Sequence, residues 1–255
     1  MERITSRKNR IIAHLRALGS DRGYREETEL FLCDGEKLLR EALASGAELS
    51  EVLWSEGGQV IDLLEGVEQY VCPLELLQYA SPMKNSPGPL FSVKTDKEAK
   101  KEPVESAIVL EGVQDPGNVG TVIRTANAMG IGAVVLLSGC ADPLGPKAVR
   151  STMGAVFRQT VIETDLEGMM ALVRENGLEL WGAALSDKAQ DICSVTGRQG
   201  LAIAIGSEGR GLSGELLSLC AGELIIPMEP DSESLNAAVA ASIAMWEIYK
   251  ARREG

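Results

Sequence analysis

The sequence predicts an α/β fold in two parts. A small α/β domain covers residues 1–93, a linker 94–106, and a second domain 107–255 is built on a mainly parallel sheet with helices on both faces. Three observations predict it. Short, wholly apolar runs alternate with helical patterns through the second half, and strands apolar along their length suit a sheet covered on both faces. Glycines stand where helical patterns stop, at Gly46, Gly130 and Gly177. Between the halves, residues 92–106 are polar and almost free of large apolar side chains, as expected of a linker.

In the first domain residues 9–18 read as a helix with Ile11, Ile12, Leu15 and Leu18 on one face. Residues 30–33 read as a strand. Asp34 can cap the helix that follows, which runs to about residue 45 and stops at Gly46. A strand at 51–54, a short helix at 60–64, a strand at 70–72 and a proline-rich loop at 81–89 complete the domain. In the second domain strands are expected at 107–110, 133–137, 157–162, 178–185, 201–205 and 223–226. Helices are expected at 119–129, 166–175, 212–220 and 234–251, with Asn118 or Gly120 near the start of the first. Such alternation argues a parallel sheet, whose ligands bind in loops at the strand carboxyl ends.

Composition narrows the function. The chain has 255 residues, 45% hydrophobic, and a net charge of −12. No apolar run approaches the ~20 residues of a membrane span, and the basic first ten residues lack the apolar core of a secretory signal. A cytoplasmic location is expected. The five cysteines are odd in number and form no C-x-x-C pair, which argues against a disulfide framework or a local zinc site. His14, the one histidine, lies outside the region assigned the chemistry, so no histidine triad and no metal centre is expected there.

An acidic chain is a poor partner for nucleic acid. Residues 1–25, however, hold Arg3, Arg7, Lys8, Arg10, Arg16, Arg22 and Arg25 against Glu2 and Asp21. A basic patch on an acidic body can grip phosphates; a solvated helix face is the alternative.

The common nucleotide signatures fail. No G-x-G-x-x-G follows the 107–110 strand, the glycines of 139–147 have the wrong spacing for a phosphate loop, and 206–209 is no nucleophile elbow. Three other loops stand at probable strand ends. The first runs from Asp115 to Arg124, with Asn118 and Gly120. The second holds Gly206, Glu208, Gly209 and Gly211, glycines that let backbone approach a ligand. The third is Ile226-Pro227-Met228, followed by Ser234, Leu235 and Asn236 before an alanine-rich helix.

In that order and spacing, these loops resemble the three motifs of the SpoU (TrmH) family of RNA ribose 2′-O-methyltransferases, over about residues 107–251. An accessory stretch at 147–157 is also similar to the family, and residues 1–93 resemble the ribosomal-protein-like substrate domain of many members. Cys33-Asp34-Gly35 departs from the Val-Glu-Gly common there. The resemblance implies a C-terminal trefoil knot, a homodimer, S-adenosylmethionine as cofactor, and RNA as substrate, with ribosomal RNA favoured over transfer RNA. A non-catalytic RNA-binding protein of the same fold is the alternative.

The resemblance also assigns residues. Gly206, Ile226, Met228 and Leu235, with Ala184 and Leu185 of the preceding strand end, are expected to hold the cofactor. Asn118, Arg124, Glu208, Ser234 and Asn236 form the catalytic group. A guanidinium is too weak an acid to serve as a base at neutral pH, so Arg124 is expected to anchor an RNA phosphate with Glu208 orienting it. The proton then leaves by phosphate or water, while Asn118, Ser234 and Asn236 position ribose and backbone. Arg7, Lys8, Arg10 and Arg25, with Arg150 of the accessory stretch, are the expected RNA contacts.

Overall fold

A computed structural model of the chain describes residues 1–62, 66–95, 103–195, 198–229 and 234–254, with side chains to residue 250. In chain order the elements begin with β1 (Glu2–Arg3), α1 (Arg10–Ser20), α2 (Arg22–Thr28), β2 (Leu30–Asp34), α3 (Glu36–Ser45), β3 (Leu49–Ser55), β4 (Glu68–Cys72), α4 (Leu74–Ala80) and β5 (Leu90–Lys94). There follow β6 (Ser106–Glu111), α5 (Pro116–Met129), β7 (Ala133–Leu136), α6 (Pro146–Thr152), β8 (Val161–Glu163), α7 (Leu166–Glu175) and β9 (Glu179–Ala183). The last are β10 (Gln190–Asp191), β11 (Leu201–Gly206), α8 (Gly214–Leu219), β12 (Gly222–Ile225) and α9 (Ala237–Glu254). They form two units: Met1–Lys97 with Asp142–Phe157, and Glu98–Ala141 with Arg158–Gly255.

The first unit is a five-stranded mixed sheet in the order β1-β4-β3-β5-β2, with β5 antiparallel to both its neighbours. Side chains alternate across a strand. Leu32 of β2 therefore meets Ile11, Ile12, Leu15 and Leu18 of α1 on one face. Phe31 and Cys33 meet Leu38, Leu39 and Ala42 of α3 on the other, together with Val149 of α6. Asn9 caps α1, its side chain accepting the Ile11 N–H at 2.8 Å.

Several expectations for this unit are corrected. Residues 92–94 are not linker: Ser92 is fully buried in β5, a strand that the boundary drawn at residue 92 cuts from Leu90 and Phe91. Residues 96–102 of the expected linker lie outside the described residues. Of the expected helix at 60–64, residues 60–62 are not helical, and 63–64 lie outside the described residues. Asp34 does not cap α3. Gly35, at φ +113°, holds that position without a side-chain bond, because the Asp34 carboxylate accepts the hydroxyls of Ser81 and Ser86, each at 2.5 Å. The segment Asp142–Phe157, read as part of the second domain, packs within the first unit.

The second unit is a seven-stranded sheet in the order β10-β12-β9-β11-β6-β7-β8, parallel throughout. Its central strands are apolar along their length because both faces are covered. Ala107, Val109, Ala202 and Ala204 pack with Met169 and Val173 of α7 and Leu216 of α8. The fully buried Ile108 and Ile203 carry the alternate register, and α9 packs on β6, β11 and α5. The chain builds β7 and β8 to one side of β6, then β9 to β12 to the other, so the order reverses between neighbours β6 and β11. Ligands of parallel sheets bind at such a switch point, beyond the carboxyl ends.

Asn118 lies in the first turn of α5, as expected; Asp115 is the N-cap, accepting the Gly117 N–H, and Pro116 fills the first helical position. Such a cap stabilises a helix by ~1 kcal/mol. It leaves the Asn118 side chain free for other partners.

Candidate active site

Strands β6 and β11 run side by side to Glu111 and Gly206, which are paired in register. Beyond Gly206 the chain doubles back. Ser207 bridges to Gly211, whose N–H donates to the Ser207 carbonyl at 2.9 Å, and Gly211 takes φ +66°. A Cβ on Gly206 would lie 2.1 Å from the Gly211 carbonyl carbon, so only glycine fits there. The far end of the loop is held by Glu111, which accepts both the N–H (2.7 Å) and the hydroxyl (2.8 Å) of Ser213. Ser213 in turn caps α8.

Glu208, in the middle of this loop, joins all three motifs. Its Oε1 accepts the Asn118 amide at 2.7 Å, the Ala237 N–H at 3.2 Å and the Asn236 amide at 3.5 Å. The Asn236 amide also reaches Asn118 Oδ1 at 3.2 Å. Asn236 Oδ1 accepts the Ala238 and Val239 N–H groups, so Asn236 caps α9. The loops after β6, β11 and β12 thus meet at one carboxylate oxygen.

Beside this junction lies a cleft of about 500 Å³, within the range of small-molecule and cofactor sites. Ala184, Leu185, Gly206, Ile226, Met228 and Leu235 all line it, with Glu208 and Ser234 on its polar side. Small residues and bare backbone leave room for a flat ring, and apolar side chains wall it. Asn118 and Asn236 line a second depression, of about 400 Å³, between α5 and α9. Cys140 comes near the end of β6, its thiol donating to the Leu110 carbonyl at 3.3 Å. Burial raises its pKa, which keeps it a neutral thiol and a poor nucleophile.

Two residues depart from the expected arrangement. Arg124 is not oriented by Glu208, whose Oε1 is taken by the asparagines and α9. Arg124 is exposed and has no hydrogen bond or ion pair among the described residues. It lies six positions along the helix from Asn118, about 240° around and ~9 Å along it. Arg25, expected as an RNA contact, is buried and paired within the first unit. It is 7% exposed, pairs with Asp142 at 2.5 Å and donates to the Leu18 carbonyl at 2.6 Å. Arg7, Lys8, Arg10 and Arg150 are exposed, all in the first unit. Sequence reasoning passed over Glu111 as the polar end of an apolar strand; its partner Ser213 is 102 residues away.

Comparison with known proteins gives the family and the fold. The model of the SpoU rRNA Methylase family matches residues 105–246. The 23S rRNA (guanosine(2553)-2′-O)-methyltransferase RlmP of Bacillus subtilis strain 168 is 31% identical over 249 residues, which cover 97% of this chain and 99% of that one. The AdoMet-bound rRNA methyltransferase of Sinorhizobium meliloti has a similar structure. Its TM-score is 0.86 at 25% identity, over 99% of this chain and 98% of its own. A solved RNA 2′-O ribose methyltransferase gives a TM-score of 0.80 at 27% identity, over 98% and 99% of the two chains. With the three motif loops gathered at Glu208 and a family match over more than half its length, this chain belongs to the SpoU rRNA methylase family.

Proposed function

We propose that this protein transfers a methyl group from S-adenosylmethionine to a ribose 2′-hydroxyl of ribosomal RNA. The junction at Glu208 Oε1 carries the reading, because it sets a ligand cleft beside a cluster of amides at the switch point of the sheet. The cleft suits the cofactor: backbone beyond Gly206 and Ile226 offers N–H and C=O groups to adenine and ribose, and Leu185, Met228 and Leu235 supply apolar cover. When bound, S-adenosylmethionine supplies an electrophilic methyl on a sulfonium.

The remaining work falls to this chain's own residues. The amides of Asn118 and Asn236, fixed by Glu208, and the Ser234 hydroxyl orient the ribose, which converts an encounter into a near-attack geometry. Arg124 holds an RNA phosphate as a cation. The hydroxyl proton departs to phosphate or water, since no histidine is available and a guanidinium does not accept it. Residues 1–93 bind RNA through Arg7, Lys8 and Arg10, with Arg150 assisting. The family resemblance further supports a homodimer and a C-terminal trefoil knot. For the first, the depression between α5 and α9 exposes Val239 and Trp246, each at 47%, as an apolar face that a second copy would cover. For the second, α9 returns over β6 and β11 after β12 has been laid down beyond β9. Sedimentation at two concentrations checks the dimer, and a shortened contour on single-molecule stretching checks the knot. Among the described residues no helix is long and apolar enough to cross a membrane, and ribosomal RNA as substrate assigns the work to the cytoplasm, which cell fractionation checks.

The test is transfer of tritium from labelled S-adenosylmethionine to unmodified large-subunit ribosomal RNA and to transfer RNA, with the product mapped by resistance to alkaline hydrolysis. One protected ribose in ribosomal RNA is expected. Arg124→Ala should abolish transfer while calorimetric binding of the cofactor survives. A methylated base, or methylation of transfer RNA alone, overturns the reading.

A further inference from the structure

One group in the first unit joins Arg7, already given to the RNA, to side chains with no part in the reading above. The guanidinium of Arg7 lies 4.5 Å from the centroid of the Tyr79 ring, and that of Arg16 lies 4.2 Å from the same centroid. Arg16 also donates through Nη1 to the Tyr79 carbonyl, satisfying a C-terminal carbonyl of α4. That bond accounts for the position of Arg16. Arg7 is held there by the ring alone: it is exposed, and among the described residues no carboxylate or carbonyl bonds it. Two cations are thus gathered over one ring without a bonded counter-ion.

The loop after α4 extends the group and is unusually well fixed. Besides the two serine hydroxyls given to Asp34, Ser81 Oγ accepts the Met83 N–H at 2.8 Å and Ser86 Oγ accepts the Gly88 N–H at 3.0 Å. Pro82 rests on Gly19 of α1, within 3.4 Å of where a Cβ would stand and one turn past Arg16. The exposed tip of this loop holds Lys84 and Asn85, the latter at φ +57°. Lys8 is exposed next to Arg7. Glu75, one turn before Tyr79, is the one acid on α4, which leaves the group net positive.

We propose that Arg7, Arg16, Tyr79 and Lys84 form a binding subsite for an unpaired stretch of the RNA substrate. Phosphates sit on the guanidiniums and the Lys84 ammonium, and a base stacks on the layer made by the ring and the arginines. A duplex hides its base faces, so the site selects single strands. This rests on the reading of the protein as an RNA methyltransferase and adds which side chains of the first unit hold the RNA.

The test is fluorescence anisotropy of the full chain with polyuridylate and with an adenylate–uridylate duplex, each over a series of salt concentrations. Wild type should favour the single strand. Tyr79→Ala should weaken that binding about tenfold, whereas Tyr79→Phe, which keeps the ring, stays within about twofold. Arg7→Gln should reduce the slope of log affinity against log salt by about one. Tyr79→Ala removes a half-buried ring and can unfold the unit. Arg7→Gln touches no core and carries the test alone, with calorimetric binding of S-adenosylmethionine checking each variant. Wild-type affinity and salt slope in Arg7→Gln, or a preference for the duplex, overturns the subsite. Wild type that fails to bind S-adenosylmethionine instead overturns the methyltransferase reading itself.

Discussion

The two units of the chain hold their polar groups in opposite ways. In the first, cations stand exposed near the N-terminus while carboxylates are drawn inward, Asp142 onto Arg25 and Asp34 onto two serines. In the second, the cleft is walled by backbone and apolar side chains. Its carboxylates, Glu111 and Glu208, grip loops. The contrast follows from what each would bind. A polyanion is attracted by exposed cations that release counterions. A small ligand is placed by a few fixed polar groups in a preformed pocket. A chain of net charge −12 would do both because its first 25 residues carry seven basic side chains against two acids.

The most direct test of this division is Gly206→Ala. Its Cβ would collide with the returning loop, so cofactor affinity should fall at least about a hundredfold, or 2.7 kcal/mol, by calorimetry, with RNA affinity unchanged. Normal cofactor binding in that variant would show that the loop can reshape. Next comes Arg25→Met, which strips Asp142 of its buried partner. Removing one member of such a pair costs about 3–5 kcal/mol, to be read from urea unfolding. Loss of RNA affinity with unchanged stability would restore Arg25 as a contact.

Glu208→Ala should be milder. It leaves the Asn118 amide and the Ala237 N–H without their acceptor, a penalty of about 1–3 kcal/mol, seen as a ten- to hundredfold fall in turnover. Glu208→Gln retains an oxygen acceptor and should lose less; equal losses would point to the charge instead. The smallest effect belongs to Glu51 in the first unit. Burial pushes its carboxyl up, but the His14 imidazole, its Nε2 2.9 Å from Oε1, and the neighbouring serine hydroxyls outweigh this and hold it below its ordinary value of 4.5. A lowered folded pKa means the stabilisation is complete above 4.5 and is lost as pH falls through the folded value. Glu51→Gln should therefore flatten the acid loss of stability below pH 4.5, as followed by urea unfolding at several pH values.

Much of the second unit was legible in its sequence because β6, β7 and β11 are unbroken apolar runs and α7 begins and ends on clear signals. The first unit hid more. α2 and α4 are seven residues each, too short for a helical period to repeat, and β5 is divided by the boundary drawn at residue 92. α6 followed no local signal at all, since what assigns it to the first unit is Val149 in a core otherwise drawn mainly from residues 31–93. At the site, motif spacing pointed to three loops that the fold brings together at Glu208. It did not reveal what Glu208 holds, because its partners lie 90 and 29 residues away and the bonds exist only once the sheet has brought the strand ends together.

That shared oxygen makes the two ligands thermodynamic neighbours. Whatever tugs on the Asn118 amide also strains the rim of the cleft, so occupancy of either place alters the grip of the other by one common factor, felt equally in both directions. The coupling is therefore the same whichever reactant arrives first, and needs no moving domain to carry it.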